Sequence, residues 1–456
     1  MLDRIAKKCC GALLNILFRG DAMQLYSPDT VKDALLSSIS SLLEHRDLFL
    51  MNPDSDFSRT KKISFEQTLL FPMVAASDNV PTELMDSFNE AHLPSPSAMI
   101  QRRAQVKPKA FKALFHGFTA LASHYRTFHG FRLIAFDGSR LNLPYNPSDP
   151  NTFLRCIDGR RGINQIHFNS LYDILNDLFL DAELQSIHAM NEKAAFTRFL
   201  DTTADPNHKA IFIADRGSAS YNIFAHAIHN DRFFLIRVPA LFAKTVCPDN
   251  EHWLDKDIED QEVCVHIGRC QTRQNRLLEN YHYIPAKGHY DYIEAGCKEA
   301  EMLRLRVVKF PLSEGSYEYI VTNLPKYGFS TDTIRELYRL RWGIETAYRH
   351  LKYAGNMVHI HSLRPDFLLQ EIYGKLTMYN FSSFIAACTA EKAEKETDRY
   401  RYVINHTQLQ KICIRFLRGK LQNITELICH SLVPVRPDRS FQRKLRRQSA
   451  DTFSYR

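Results

Sequence analysis

The sequence predicts an α/β fold, a largely buried sheet flanked by helices, and three observations carry that prediction. Leu133-Ile134-Ala135-Phe136 and Ile211-Phe212-Ile213-Ala214 are short unbroken apolar runs bounded by turn residues, the pattern of strands buried on both faces. More strand-like runs follow between residues 230 and 325. Helical periodicity dominates both ends of the chain and returns after Thr333.

Composition narrows the class. At 456 residues the chain has room for two or three domains. Hydrophobic content of 45% and charged content of 24% are ordinary for a soluble globular protein. The net charge of +8 permits a polyanionic partner. Neither GxxxxGKS/T nor GxGxxG occurs, which excludes nucleotide-driven chemistry of the P-loop or Rossmann kind. The ten cysteines include no CxxC pair, so a reducing compartment is expected, without a zinc ribbon or disulfide scaffold. Met1–Leu17 reads as an amphipathic first helix rather than a signal peptide, and no stretch approaches the roughly 20 apolar residues of a membrane span.

Residues 1–128 read as helical. Helices over Glu83–His92 and Ser97–Val106 flank Leu93-Pro94-Ser95-Pro96, a connection short enough for a helix-turn-helix. The second carries Gln101, Arg102 and Arg103, with Lys107, Lys109 and Lys112 close behind. This is either a recognition helix for a DNA major groove or a basic helix whose charges are simply solvated.

The two apolar runs each lead into an acid, Asp137-Gly138-Ser139 and Asp215-Arg216-Gly217-Ser218. One acid at a strand exit is commonly a turn former; the same construction twice is less easily dismissed. Asn164–Leu184 is compatible with further strands of the same sheet, and Asn191–Leu200 with a helix leading to the strand of Asp215. Phe233–Val238, Glu262–Ile267, Leu303–Phe310 and Tyr317–Val321 read as strands of a β-rich insertion, about 230–325, beside a cleft to which Lys244, Arg269 and Arg273 add charge.

Thr333 and Glu336 make a capping-box pair for the next helix, and Gly355-Asn356 supply its stop signal. Ile334, Leu337, Ile344, Tyr348 and Leu351 form its apolar stripe. Directly beside that stripe, Tyr338, Arg341, Glu345 and Lys352 share a band roughly 60° wide. A solvated face with i,i+4 ion pairs is the alternative. Pro365–Ala390 reads as another helix, Glu391–Glu396 as a charged link, and the end of the chain as helical segments. The basic run from Arg436 to Arg447 is either a solvated tail or a source of phosphate contacts.

Asp137, Asp215 and Glu345 together offer hard oxygen ligands without histidine or cysteine, a set suited to Mg²⁺, with Mn²⁺ able to substitute. Two such ions about 3.5–4 Å apart activate a water and stabilise the leaving oxygen of a phosphodiester. Arg341 and Lys352 would hold the non-reacting phosphates.

These motifs are similar to those of bacterial DDE transposases of the insertion-sequence kind, the family called IS four. Its late signature is tyrosine, two residues, arginine, three residues, glutamate, six residues, lysine; Tyr338, Arg341, Glu345 and Lys352 match every spacing. Asp137-Gly-Ser and Asp215-Arg-Gly are also of the family's type, and the likeness spans about residues 130–385. The resemblance implies a ribonuclease-H-like catalytic core over 129–390, holding two metal ions with Asp137, Asp215 and Glu345. It implies phosphate contacts near the transposon end from Tyr338, Arg341 and Lys352. Residues 1–128 would help bind DNA at the terminal inverted repeats, Arg102 and Arg103 among them, and 391–456 would form a helical C-terminal region with a basic tail. The implied activity is cleavage at those repeats and joining of 3′ ends to target DNA, by a homodimer on paired ends, in the bacterial cytoplasm against the nucleoid. Relatives open the second strand through a hairpin, with an extruded base stacked on an aromatic; Trp253 and Trp342, the only tryptophans, serve either that or packing. Two other readings remain: a ribonuclease-H-like nuclease without strand transfer, and a domesticated, non-catalytic DNA-binding protein, against which the intact acids tell. A paired-carboxylate glycosidase would leave Arg341 and Lys352 without purpose.

Overall fold

The computed structural model describes residues 27–435 apart from 60–61, 76–78, 122–125, 156–160, 204–208, 248–258, 314, 359, 394 and 397–400. The expected first helix at Met1–Leu17, Trp253, part of the Glu391–Glu396 link and the basic run from Arg436 lie outside these residues.

Five helices open the described chain: α1 (Pro28–Glu44), α2 (Phe65–Val74), α3 (Val80–Ser87), α4 (Pro96–Ala104) and α5 (Pro108–Ala120). Ser27 starts α1 with a capping box, its hydroxyl accepting from the Thr30 N–H at 3.2 Å while Thr30 Oγ1 accepts from the Ser27 N–H at 3.0 Å. Val31, Ala34, Leu35, Ile39 and Leu42 then fall at helical spacing and are buried. The helix expected over Glu83–His92 is shorter, because α3 stops at Ser87 and a separate 3₁₀ turn follows at Glu90–His92.

Next come β1 (Arg132–Leu143), β2 (Phe153–Leu154), β3 (Ile163–Asp173), β4 (Leu178–Ser186), α6 (Glu192–Thr202), β5 (Ala210–Ala214), α7 (Tyr221–His229), β6 (Phe233–Val238) and α8 (Ala240–Val246). They are followed by β7 (Glu259–Gly268), β8 (Tyr281–Tyr283), β9 (Ala300–Ser313) and β10 (Ser316–Thr322). All ten strands join one sheet of order β2-β3-β1-β5-β6-β10-β9-β7-β8, with β4 on β3. Its centre, β1-β5-β6, is parallel; β3 and β10 close against it antiparallel. Every residue of β5 is buried, as its unbroken apolar run requires.

The strands expected between 230 and 325 form, but they are not a separate body beside the sheet. β6 is a parallel neighbour of β5, and β10, β9 and β7 continue the same ladder outward. Apolar patterning shows that a strand is buried; it does not show which strand it pairs with.

The chain then runs through α9 (Thr331–Leu340), α10 (Trp342–Arg349), a π-helical turn at His350–Ala354, and α11 (Pro365–Ala393). A small sheet of β11 (Lys395–Glu396), β12 (Arg401–Val403) and β13 (Val433–Val435) surrounds α12 (His406–Leu417) and α13 (Ile424–His430) in sequence. Leu376, Phe381 and Ile385 of α11 share one hydrophobic core with Leu35 and Phe115 from the N-terminal helices and Leu409 and Ile428 from the C-terminal ones. The boundaries expected near 128 and 390 therefore do not separate cores. The middle of α11 is buried on all sides, its polar side chains included, and helices from both ends of the described chain supply the cover. No helix among the described residues is long and apolar enough to cross a membrane.

Candidate active site

The parallel ladder between β1 and β5 ends with Phe136 beside Ala214, so Asp137 and Asp215 leave it as neighbours. Strand alternation sets their direction. Ile134, Phe136, Phe212 and Ala214 pack against Phe196 and Phe199 of α6. The other parity faces the opposite way: Ala135 shares a core with Ile344 and Tyr348 of α10, and Ile213 with Ile334 and Leu337 of α9. Two residues on, both aspartates belong to the face covered by α9 and α10.

The strand exits differ from expectation. β1 does not stop at Asp137 but runs on to Leu143, paired with β3 as Asp137 with Ser170 and Gly138 with Asn169. Asp215 does end its strand, and caps a 3₁₀ turn by accepting from the Gly217 N–H at 2.8 Å. Asp137 Oδ1 accepts from the Gly138 N–H at 2.9 Å.

The signature helix is segmented. Ser330, rather than Thr333, caps α9, accepting from the Thr333 N–H at 3.2 Å. Arg341 lies between α9 and α10 with right-handed helical dihedrals, and Lys352 falls in the π-helical turn. Such a turn alters the angular spacing of side chains and recurs at functional sites. Asn356, at φ 55°, provides the expected stop. The expected apolar stripe of Ile334, Leu337, Ile344, Tyr348 and Leu351 is buried throughout.

Arg341 Nη2 donates to Glu345 Oε1 at 2.8 Å. Tyr348 donates its hydroxyl to the Asp137 carbonyl at 2.6 Å and lies 2.9 Å from Ser170 Oγ. Lys352 Nζ donates to Ser139 Oγ at 2.7 Å and to the Arg140 carbonyl at 2.9 Å. Thus α10 and its π turn are fastened to the strand that bears Asp137.

Burial pushes the Asp137 carboxyl up to about 7, and the charges of Asp215 and Glu345 add to that, while Arg341 and the Gly138 N–H oppose it. The Arg341 guanidinium is itself buried, which disfavours its charge, but Tyr338, Glu345 and Asp137 more than offset this and raise its pKa. Burial lowers the Lys352 ammonium, with Asp137 opposing. Acids and cations here are electrically one cluster. Among the described residues, no three His, Cys, Asp or Glu side chains are grouped so as to hold a metal ion. Glu345 is engaged by Arg341, and each aspartate is turned to a nearby N–H.

Other expected residues lie elsewhere. Tyr338 is 3% exposed in the core under α9, with the Arg341 guanidinium 5.8 Å from its ring; it supports the arginine and does not face outward. Arg102 and Arg103 are buried. Arg102 stacks on Phe57 at 4.4 Å and donates to Gln105. Arg103 donates to Gln370 at 3.0 Å, the Phe367 carbonyl at 3.2 Å and Glu371 at 3.4 Å. Neither guanidinium is available to read a groove, because Arg103 is turned into α11 and Arg102 lies over Phe57. Arg269 is likewise spent internally, donating to the carbonyls of Tyr290, Ala286 and Gly288, whereas Lys244 and Arg273 are exposed. Trp342 is 57% exposed, with the Arg341 guanidinium 5.2 Å from its ring.

Sequence reasoning missed the hydroxyl of Tyr348, taken only as an apolar stripe residue, and did not single out Glu192 and His167, which meet beside Gly138. Glu192 reads in sequence as an ordinary first-turn glutamate behind an Asn191 cap, and His167 as one residue of a strand.

A family model of the transposase DDE domain matches residues 128–381. No curated protein matches the chain. Among solved structures, a piggyBac transposase synaptic complex with hairpin DNA aligns over 90% of this chain and 80% of that chain, at 8% sequence identity and a TM-score of 0.44.

Proposed function

The chain belongs to the transposase DDE-domain family, and from that premise we propose that it is a DNA transposase of the IS four kind, cutting at terminal inverted repeats and joining 3′ ends to target DNA. The observation that carries this reading is the exit of Asp137 and Asp215, side by side, from paired parallel strands onto the face beneath the helix bearing Arg341 and Glu345. We read β1–β5 as the centre of a ribonuclease-H-like core over 129–390.

The donors fit a hard divalent cation: they are carboxylate oxygens, and Mg²⁺ is commonly held by one or two carboxylates with phosphate oxygens and water completing its shell. Asp137, Asp215 and, once released from Arg341, Glu345 would hold two Mg²⁺ ions, for which Mn²⁺ may be substituted experimentally. When bound, the ions supply a nucleophilic water and neutralise charge on the phosphodiester.

The chain's own residues do the rest. Arg341, buried and permanently charged, balances the acids in the free protein and is suited to bidentate contact with a phosphate. Lys352 places a point charge at the rim of β1. Tyr348 holds the Asp137 backbone, so the carboxylate is aimed by both its strand and its covering helix. Exposed Trp342 offers an apolar face for stacking beside Arg341. The partner would be DNA engaged by a homodimer, one subunit at each end.

The test uses purified full-length protein, DNA bearing the element's terminal repeats, and Mg²⁺. Wild type should nick the ends and join them to a second duplex; D137A, D215A and E345A should lose cleavage while retaining repeat binding. Unchanged cleavage in any of the three would refute the assignment. Cleavage without joining would leave a nuclease.

A further inference from the structure

Gly138 lies within β1, paired with Asn169, and is not among the positive-φ glycines. Its need for a missing side chain is spatial. A Cβ there would stand 2.5 Å from Glu192 Oε1 and 2.7 Å from His167 Nε2. Gly217, in the turn after Asp215, lies near the other oxygen: a Cβ there would be in ordinary contact with Glu192 Oε2 at 3.7 Å and tight against Asp215 Oδ1 at 3.0 Å. The Glu192 carboxylate thus occupies the space left open by Gly138 and reaches the turn at Gly217. The two Gly217 distances also set an upper bound, because Glu192 Oε2 can be no farther from Asp215 Oδ1 than their sum.

Glu192 is the first residue of α6, which covers the sheet face opposite α10. Its Oε1 is held 3.1 Å from Nε2 of His167, a side chain only 4% exposed. His167 Nε2 is also 3.1 Å from Asn169 Oδ1. Behind them, His167 Nδ1 and Asn169 Nδ2 are buried without a hydrogen-bond partner. A glutamate in a first helical turn ordinarily serves the helix dipole. That role needs neither the space cleared at Gly138 nor a buried polar pair. The side chain is 41% exposed, so the oxygen not held by His167 is open to a hydrated ion.

We propose that Glu192 is a fourth carboxylate of the metal site, reaching toward Asp215 through the gap left by Gly138, with His167 as its positioning residue. The proposal rests on the reading of Asp137 and Asp215 as metal ligands. It adds a divalent-cation ligand from the far side of the sheet, where a second carboxylate beside Asp215 supplies the one or two that Mg²⁺ takes.

The experiment is a Mn²⁺ titration of the full-length protein without DNA, free Mn²⁺ being followed by electron paramagnetic resonance. Wild type should bind Mn²⁺, and D137N, D215N and E192Q should each weaken binding by about tenfold or more. Thermal unfolding in EDTA should show E192Q as stable as wild type; were it not folded, E192D, which keeps the charge and shortens the reach, must show the weakening. H167A should weaken binding severalfold alone and add nothing to E192Q, the coupling of a residue that acts through another. Wild-type affinity in E192Q with losses in D137N and D215N would overturn the Glu192 proposal alone. Wild-type affinity in all three, or no binding by wild type, would overturn the acid site with it.

Discussion

Lys352 donates to Ser139 Oγ at 2.7 Å and to the Arg140 carbonyl at 2.9 Å, tying the π-helical turn to the strand residues just beyond Asp137. The lysine therefore does two things: it places a cation near the acids, and it fixes the helix against β1. Removing it should damage both. K352M is expected to lower stability by about 1.5–3 kcal/mol, the range for hydrogen bonds to a charged group. Cleavage at saturating DNA should fall roughly 10- to 1,000-fold if the ammonium also holds a phosphate. Urea unfolding and single-turnover cleavage measure the two; a stability loss with full cleavage would reduce Lys352 to a structural tie.

Asp137 carries the pH dependence of the metal-free protein. Its folded pKa of about 7 lies above the usual 3.8 of an aspartate, through burial first and then the Asp215 and Glu345 charges. The folded state therefore holds this proton more tightly than the unfolded state does. The stability so contributed is complete below about pH 4 and is lost as pH rises to about 7. In EDTA, wild type should lose on the order of a few kcal/mol relative to D137N across that window. Melting curves of the two from pH 4 to 8 check this. Parallel curves would show that the carboxyl is not desolvated as the fold implies.

Arg103 is expected to matter for folding rather than for DNA. It faces Glu371 at 3.4 Å inside the junction of α4 and α11. Glu371 also accepts from Ser362 and from the His361 N–H and interacts with the buried Lys375 ammonium, but loss of the guanidinium would remove its 3.4 Å ion pair and leave Gln370 Oε1 and the Phe367 carbonyl without their donor. R103A should cost about 3–5 kcal/mol, read from the denaturation midpoint, with unaltered DNA affinity in the fraction that folds. An unchanged midpoint with lost repeat binding would return the arginine to the DNA interface.

Much of the local structure was legible in one dimension because local structure has a period. The strands around Leu133 and Ile211, the four strands after Phe233 and the helix from Asn191 follow from apolar runs and caps. The stripe from Ile334 to Leu351 was legible for the same reason. The spacing of Tyr338, Arg341, Glu345 and Lys352 suggested one continuous helix face, but Tyr338 is buried, Arg341 lies between two helices and Lys352 falls in a π-helical turn. The misreadings share one cause, which is that a side chain's partner is absent from its own neighbourhood in sequence. Arg102 and Arg103 look like surface cations until Phe57 covers the first and α11 the second. Gly138 looks like a turn glycine until Glu192 and His167 fill its place.

By itself the sequence determined which segments become strands and helices and which residue types could do phosphodiester chemistry, since propensity, capping and alternation act over a few residues. Only the tertiary structure decided that β6 to β10 extend the central sheet and that both chain ends wrap α11. It alone decided that Asp137 stands beside Asp215 with Glu192 behind them. Those outcomes depend on strand pairing and burial between segments distant in the chain, where the energy of contact has no local signature.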